Sequence, residues 1–213
     1  MVKWEQYAGR FFVLWGEGTF KGEKGGASVE DGAIIELYWQ RDEQAITASD
    51  QKYGGLCRSL SQNILDSWED AEECVNDTWH RAWITMPPQR PSSLGAYLAR
   101  ITRNLSIDRW RSRRSQKRGA GMEALVLELE DCVPAVPSAE AEFEAREVAA
   151  AIDRWLDTLG REDRAAFVRR YWYAERVDEL ARQFGCTPQQ MAGRLFRVRD
   201  GLRRALEREG VSL

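Results

Sequence analysis

Side chains that can recognise DNA are concentrated between Thr187 and Arg204. Two glutamines, Gln189 and Gln190, precede five arginines: Arg194, Arg197, Arg199, Arg203 and Arg204. Guanidinium groups bind phosphates and guanine edges, and carboxamides pair with adenine in the major groove. These groups are not nucleophiles, so the chemistry that they indicate is recognition rather than catalysis.

Two helices joined by a tight turn must position these side chains. One face of the first helix is apolar, through Val177, Leu180, Ala181 and Phe184. Gly185 follows that helix where a C-terminus favours glycine. Thr187 can cap a second helix, with Pro188 at its first position and Gln190 three residues after the cap, which is the pattern of a capping box. The pattern predicts two short helices in a helix-turn-helix, whose second helix enters the major groove. The alternative is a solvated basic helix on any helical bundle.

Charge is unevenly distributed along the 213 residues. The net charge is −3, yet residues 97–118 hold eight Lys or Arg against one acid, and residues 164–208 hold eleven Arg against five acids. Residues 123–147 hold eight acids against one Arg. The distribution predicts two basic modules separated by an acidic segment, and a basic module can bind nucleic acid.

Cysteine and histidine usage predicts no metal site, cofactor or disulfide framework. Cys57, Cys74, Cys132 and Cys186 are scattered, which fits a reducing, cytoplasmic setting. His80 is the only histidine. No catalytic residue is predicted, because no carboxylate cluster or nucleophile–base pair is evident. The apolar run at residues 11–15 is far too short to span a membrane.

The first 28 residues are glycine-rich and lack helical periodicity, and a helical pattern begins immediately after them. One hypothesis is that this extension lies upstream of the true start, because Lys24, Gly25 and Gly26 can be encoded by a purine run that resembles a ribosome-binding site. Val29 would then be an alternative start codon. The other hypothesis is a loosely docked N-terminal arm.

From Gly32 onward the apolar periodicity predicts consecutive helices. One of them, WEDAEECVNDTWHRAWIT, is acidic from Glu69 to Asp77, which indicates either helix capping or a protein-facing surface. Prolines at residues 87, 88 and 91 end it, and Ser92 or Ser93 can cap the next helix. That helix accumulates arginines towards its C-terminus, where compensation of the helix dipole and binding of a nucleic-acid backbone are both possible.

These blocks, in this order, resemble bacterial RNA polymerase sigma factors of the extracytoplasmic-function group of the sigma-70 family. The blocks are DAEECVNDTWHRAW, a Pro-rich loop, AYLARITRNLSIDRWRSRR, an acidic segment and the terminal helix-turn-helix. The resemblance covers about residues 32–208. It implies an all-α fold with sigma region 2 in residues 29–118, an acidic linker in 119–146 and sigma region 4 in 147–213. The linker would either thread through the RNA channel of the polymerase or remain solvated.

The resemblance also implies roles for particular residues. Docking on the β′ clamp helices of core RNA polymerase falls to Asp70, Glu73, Asn76 and Asp77. The family usually has Gln-Glu where this chain has Asn76-Asp77, so each of these two side chains is shorter by one methylene and an adjusted docking geometry is expected. Recognition and melting of the −10 promoter element fall to Gln89, Arg90, Ser92, Arg100, Arg103, Asn104 and Arg109. Among these, Gln89, Arg90 and Ser92 lie in a loop that would hold a flipped base.

Reading of the −35 element is predicted for Thr187, Gln189, Gln190, Arg194, Phe196 and Arg197. The family commonly has a basic residue and serine where this chain has Ala192 and Gly193, so two potential contacts are missing. Glycine inside a helix costs about 1 kcal/mol relative to alanine. Gly193 therefore indicates a close approach of its backbone either to DNA or to a neighbouring helix.

The sequence thus predicts a cytoplasmic sigma factor that is not an enzyme. Its expected partners are core RNA polymerase, through the β′ clamp helices and the β flap, promoter DNA and an anti-sigma factor, without membrane insertion. A free-standing helix-turn-helix regulator is the alternative, although no dimerisation helix is evident. An enzyme acting on nucleic acid fits least well.

Overall fold

Every element in the described part of the chain is an α-helix. The computed structural model describes residues 30–113, 120–130 and 141–211. Their helices are α1 Asp31–Trp39, α2 Gln44–Leu65, α3 Trp68–Thr85, α4 Leu94–Arg113, α5 Ala120–Glu130, α6 Ala141–Thr158, α7 Arg161–Tyr171, α8 Val177–Gln183 and α9 Pro188–Arg208. The predicted all-α fold is confirmed. Within these residues no helix has the length and apolarity needed to cross a membrane.

The described residues divide into two compact units. Helices α1 to α4 form the N-terminal unit, and α5 to α9 form the C-terminal unit. The structure differs from the predicted organisation in the acidic segment, because α5 occupies the first part of the predicted linker and lies in the C-terminal unit. Its apolar residues Met122, Leu125 and Leu129 are buried, and their helical spacing is hidden among the acids of the sequence. The predicted extension at residues 1–28 and residues 131–140 lie outside the described residues.

Helices α2, α3 and α4 pack around one hydrophobic core, and α1 lies against α2. The fully buried side chains of this unit include Ile34, Tyr38, Leu60, Met86, Leu94 and Leu98. Hydroxyl pairs cross between the helices, Thr78 with Thr102 at 3.0 Å and Ser106 with Ser61 at 2.9 Å. Thr78, Thr102 and Ser106 also lie within hydrogen-bond distance of a carbonyl oxygen one turn earlier in their own helices. The cross-helix pairs are therefore additional contacts that favour one register of α4 against α2 and α3.

The backbone at the start of α4 is capped by a serine side chain. Ser93 Oγ accepts a hydrogen bond from Ala96 N at 3.4 Å. This is the bond that an N-cap residue makes to the third helical position. Of the two candidates, Ser93 rather than Ser92 is therefore the cap.

Asp31 connects α1 with α2 and α4. Its carboxylate accepts hydrogen bonds from the amide of Leu94 at 3.1 Å, from Lys52 Nζ at 2.8 Å and from the Tyr53 hydroxyl. Burial raises the pKa of Asp31, but these hydrogen bonds outweigh it, so the pKa lies below its ordinary value. The ionised carboxylate therefore holds the start of α4 in place.

The C-terminal unit contains two successive helices, α8 and α9, in the segment where the sequence predicts a helix-turn-helix. Helix α9 packs against α6, α7 and α8, and the apolar side chains along one of its faces, Met191, Leu195, Val198 and Leu202, are buried. Gly185 adopts φ +65° after α8, which is the left-handed conformation that favours glycine. The capping box between Thr187 and Gln190 is confirmed, with Pro188 at the first helical position. The second helix is longer than predicted, with 21 residues.

Candidate nucleic-acid interfaces

The start of α9 presents exposed polar side chains. Thr187, Gln189, Gln190 and Arg197 line one shallow depression together with Gly193, and these four polar side chains are exposed. Gln190 Oε1 accepts from Thr187 N at 2.9 Å, and Thr187 Oγ1 accepts from Gln190 N at 3.2 Å. The capping bond uses the side-chain oxygen of Gln190. The side-chain NH₂ group is therefore the part of this residue suited to contact a base.

Arg194 is turned towards α7 instead. Its Nε donates to Asp163 Oδ1 at 2.5 Å and its Nη2 donates to Glu162 Oε2 at 2.9 Å. The hydrogen bond to Asp163 raises the pKa of Arg194. The guanidinium also lies over the ring of Phe184, 5.7 Å from its centroid. A contact between Arg194 and DNA, as predicted, would have to replace these carboxylates.

Two other residues of α9 bear on the predicted contacts. The ring of Phe196 is 63 % exposed, and the guanidinium of Arg199 lies 5.9 Å from its centroid. A Cβ added at Gly193 would meet, within 4 Å, only Arg197 Nη1 at 3.7 Å. The alternative that a neighbouring helix requires glycine here is therefore wrong within the described residues, and close approach of DNA remains a prediction.

The loop between α3 and α4 carries three of the residues predicted to contact the −10 element. Gln89, Arg90 and Ser92 are all exposed. Arg90 Nη2 donates to Glu36 Oε2 at 2.8 Å, and its guanidinium lies 5.2 Å from the centroid of the Trp39 ring. The loop side chain is thus held against α1, an element to which no role in recognition was assigned from the sequence.

Three other predicted residues lie on α4 with different exposure. Arg100 is half-buried, and its guanidinium lies 5.6 Å from the centroid of the Tyr97 ring. Asn104 is also half-buried, whereas Arg103 is only 2 % exposed. Arg103 therefore belongs to the interior of the N-terminal unit, and a contact with DNA would require its side chain to move outward.

Arg109 of α4 contacts the acidic helix α3. Its Nη2 lies 2.6 Å from Glu73 Oε1 and 3.9 Å from Asp77 Oδ2. The hydrogen bond from Arg109 lowers the pKa of Glu73 and raises that of Arg109. A residue predicted to bind DNA is thus paired with two residues predicted to bind the polymerase.

The four predicted docking residues differ in accessibility. Glu73, Asn76 and Asp77 are exposed, whereas Asp70 is 7 % exposed. The Asp70 carboxylate accepts a hydrogen bond from Arg113, and its backbone carbonyl accepts one from Arg109 Nη1 at 3.3 Å. Asp70 is therefore placed to fix α4 against α3, and the other three form the accessible surface.

A cluster around Glu128 was not predicted from the sequence. Glu128 of α5 accepts hydrogen bonds from Arg170 Nη2 at 2.9 Å, from the Tyr171 hydroxyl at 2.8 Å and from Arg199 Nη1 at 3.0 Å. Burial, followed by the charge of Glu128, raises the pKa of Tyr171. The helical spacing of Leu125 and Leu129, which flank Glu128, is the sequence pattern that could have predicted a helix at this cluster.

In the described ranges, no group of three or more His, Cys, Asp or Glu side chains is arranged to hold a metal ion. The candidate interfaces consist of charged and aromatic side chains.

Residues 51–116 match the family model of Sigma-70 region 2. The match covers most of α2, the whole of α3 and the loop after it, and α4. These are the elements that carry the acidic surface and the basic helix. The match supports a sigma factor of the sigma-70 family, with a role in promoter-specific transcription initiation. No curated protein matches the chain.

Proposed function

We propose that this chain is a sigma factor of the extracytoplasmic-function group, which binds core RNA polymerase and directs initiation at specific promoters. The observation that carries the proposal is that the Sigma-70 region 2 match falls on α2 to α4. The capped helix-turn-helix of α8 and α9 supports a second DNA-binding element in the C-terminal unit.

Core docking is assigned to the exposed side of α3. Glu73, Asn76 and Asp77 offer two carboxylates and an amide on exposed positions of one helix, and Arg109 holds Glu73 in its ionised form. Such a surface suits basic and amide side chains of a partner helix. Asp70 acts as a positioning residue because its carboxylate is engaged by Arg113.

Recognition of the −10 element is assigned to the loop after α3 and to α4. Melting needs no nucleotide hydrolysis if the protein binds the separated strand more tightly than the duplex. Extrusion of a base costs a few kcal/mol, which contacts from Gln89, Arg90 and Ser92 can offset because all three are exposed.

Recognition of the −35 element is assigned to the start of α9. Gln189, Gln190 and Arg197 are exposed there, and residues near the N-terminus of a recognition helix contact base edges in the major groove. The C-terminal unit would also contact the β flap. The protein would act in the cytoplasm, catalyse no reaction of its own and be controlled by an anti-sigma factor.

The test is reconstitution of the full chain with core RNA polymerase of the organism that encodes it. Co-elution in gel filtration and specific transcripts from a genomic template are expected. The variant E73K/D77K should lose co-elution because it reverses the charge of the exposed docking surface. The matched control E147K changes an exposed acid of α6 and should retain it. A chain that binds promoter duplex tightly alone and never associates with core would instead be a free-standing regulator.

A further inference from the structure

Three pairs of an arginine and an aromatic ring lie in the N-terminal unit around the loop after α3. The arginine Cζ atom lies 5.2 Å from the ring centroid in the pair Arg90–Trp39, 5.5 Å in Arg41–Trp83 and 5.6 Å in Arg100–Tyr97. Only Arg90 and Arg100 of these six residues were predicted from the sequence to contact DNA. Of the other four, Trp39 and Arg41 extend the surface onto the end of α1 and Trp83 extends it onto the end of α3, whereas Tyr97 lies near the start of α4.

Two hydrogen bonds connect the end of α1 and the start of α4 to the end of α3. Arg41 Nη1 donates to the carbonyl oxygen of Trp83 at 2.5 Å, which connects the end of α1 to the end of α3. The Tyr97 hydroxyl donates to Thr85 Oγ1 at 2.5 Å, which connects the start of α4 to the same end of α3. All three pairs therefore border the loop that follows α3.

The backbone directs Arg41 into this surface. Arg41 has φ 58°, a left-handed conformation that is uncommon for a residue with a side chain. It turns the chain back after α1, with Arg41 N donating to Tyr38 O at 3.2 Å. A disfavoured backbone conformation that places a guanidinium beside an indole is an observation from which a functional role can be inferred.

The chemistry of the surface suits a single nucleic-acid strand. Proteins bind unpaired strands by stacking bases on aromatic rings and on guanidinium planes, beside cations that contact the phosphates. The ring of Trp39 is 37 % exposed, and the side chain of Arg90 is 57 % exposed. Both groups keep open surface that a base can cover.

We infer that Trp39 and Arg41, at the end of α1, form an additional binding subsite for the unpaired promoter strand. In this subsite a base stacks on the Trp39–Arg90 pair, and Arg41 contacts a phosphate. The inference rests on the proposed function, because it is the −10 element whose strand would be bound. It assigns strand binding to a helix that precedes the residues matched to Sigma-70 region 2.

Glu36 limits access to the subsite in the free protein. Its carboxylate lies 2.8 Å from Arg90 Nη2, and both side chains are about half exposed, 47 % for Glu36 and 57 % for Arg90. An ion pair this exposed is weak, so a base that stacks on Arg90 can displace the carboxylate. Removal of the Glu36 charge should therefore strengthen strand binding, whereas removal of the Trp39 ring should weaken it.

The experiment uses holoenzyme reconstituted from the full chain and a fluorescent oligonucleotide of the non-template strand from a promoter that this holoenzyme transcribes. Affinity is measured by anisotropy for the wild-type protein and for W39A, R90K, E36Q and W68A. Trp68 is the matched control, because it is 58 % exposed at the other end of α3. That end lies about 25 Å from Thr85 at a rise of 1.5 Å per residue.

W39A is expected to weaken binding about tenfold, as for the loss of one stacked base. R90K should bind the strand more weakly than the wild type, because the ammonium group of lysine cannot stack on a base. E36Q should tighten binding about threefold, and W68A should stay within about twofold.

A scan of single abasic nucleotides separates stacking from a structural role. If a base stacks on Trp39, the W39A effect disappears at one abasic position and persists at all others. An unchanged affinity of W39A, or an equal loss at every position, would overturn the subsite while leaving the proposed function intact. Failure of the wild-type holoenzyme to transcribe any template or to hold any strand would overturn the proposed function, and the subsite with it.

Discussion

The start of α9 and the face around the loop after α3 both present groups suited to DNA, but these groups are in different states. At the start of α9, Gln189 and Arg197 are exposed and project from a capped helix. In the N-terminal unit, Arg90 of that loop and Arg109 towards the end of α4 are already paired with carboxylates of the same unit. Apart from Arg194, which is paired with Asp163 and Glu162, the predicted contacts at the start of α9 are accessible to a ligand, whereas the arginines of the N-terminal unit must exchange partners first.

This difference corresponds to the form of DNA that each surface would meet. Duplex DNA is present before melting, so an exposed surface that recognises base edges can bind it directly. A single strand exists only after melting, and a surface whose cations are neutralised by its own acids resists nonspecific binding until then. The ion pairs of the N-terminal unit can thus contribute to specificity.

The largest effect is expected from changing the exposed side chains at the start of α9. R197A combined with Q190E should weaken affinity for a promoter with an intact −35 element about 100-fold, since each bidentate base contact contributes about 1–3 kcal/mol. Q190E keeps an acceptor for the capping bond and places a negative charge beside the DNA. Binding of the holoenzyme to matched and scrambled −35 elements measures the effect.

The control is R204A, on the same helix, where the Arg204 side chain is paired with Asp200 at 2.6 Å. It should retain discrimination between the two elements. Equal discrimination by the double variant and the wild type would show that α9 reads DNA through other side chains.

A second change should destabilise the N-terminal unit without altering its arginines. D31N removes the charge that holds Leu94, Lys52 and Tyr53 and should lower the free energy of unfolding of the N-terminal unit by about 2 kcal/mol at pH 7. The pKa of Asp31 is lowered in the folded state. Its stabilisation is therefore complete above the unfolded value of 3.8 and is lost as the pH falls through the folded pKa.

Urea unfolding of the wild type and D31N between pH 3 and pH 7 measures this dependence. The difference between the two proteins should shrink on acidification below the unfolded value of 3.8. A constant difference across this range would mean that Asp31 acts through packing rather than through its charge.

Arg109 provides the sharpest test of partner exchange. Because it pairs with Glu73 and Asp77, R109A should free the carboxylates and strengthen binding to core polymerase by up to about threefold. The same variant should weaken binding to the single strand about tenfold, through loss of one phosphate contact. R109K should approach the wild type in both assays.

Core affinity and strand affinity are measured separately, the second with core in excess. A loss of core affinity in R109A would mean that Arg109 orients the acids for docking instead of competing for them.

The smallest effect is expected at Gly193. G193A should stabilise α9 by about 1 kcal/mol, because alanine has the higher helix propensity and the added Cβ meets only Arg197 at 3.7 Å. If DNA approaches the backbone at this position, the same methyl group should reduce affinity for the −35 element several-fold. Thermal unfolding and promoter binding measure the two effects, and a gain in stability with unchanged binding would place Gly193 away from the DNA.

The sequence predicted the elements whose signals are local. The cap at Thr187, the glycine after α8 and the buried stripe of α9 follow from helix periodicity and capping chemistry, and the structure contains all three. The acidic surface of α3 was also accessible to this reasoning, because charge density needs no knowledge of the fold.

What the sequence did not reveal depends on contacts between distant residues. The pairing of Arg194 with Asp163, of Arg90 with Glu36 and of Arg199 with Glu128 joins positions separated by 31, 54 and 71 residues. A pattern within one helix cannot indicate which arginine faces an acid of another helix. Acid density likewise suggested a linker at residues 119–146, whose first part forms helix α5 and packs through its apolar side.

Helix α5 belongs to the C-terminal unit, so it determines where a fragment containing only this unit should begin. A fragment that begins at residue 147 would keep α7 to α9 but discard the carboxylate of Glu128, although the side chains of Arg170 and Arg199 are only 9 % and 17 % exposed. The two guanidinium groups would lose that counter-charge, and the apolar surface that Met122, Leu125 and Leu129 of α5 cover would be exposed to water, which should destabilise the fragment. Fragments intended for isolated study of the helix-turn-helix should therefore start before Ala120.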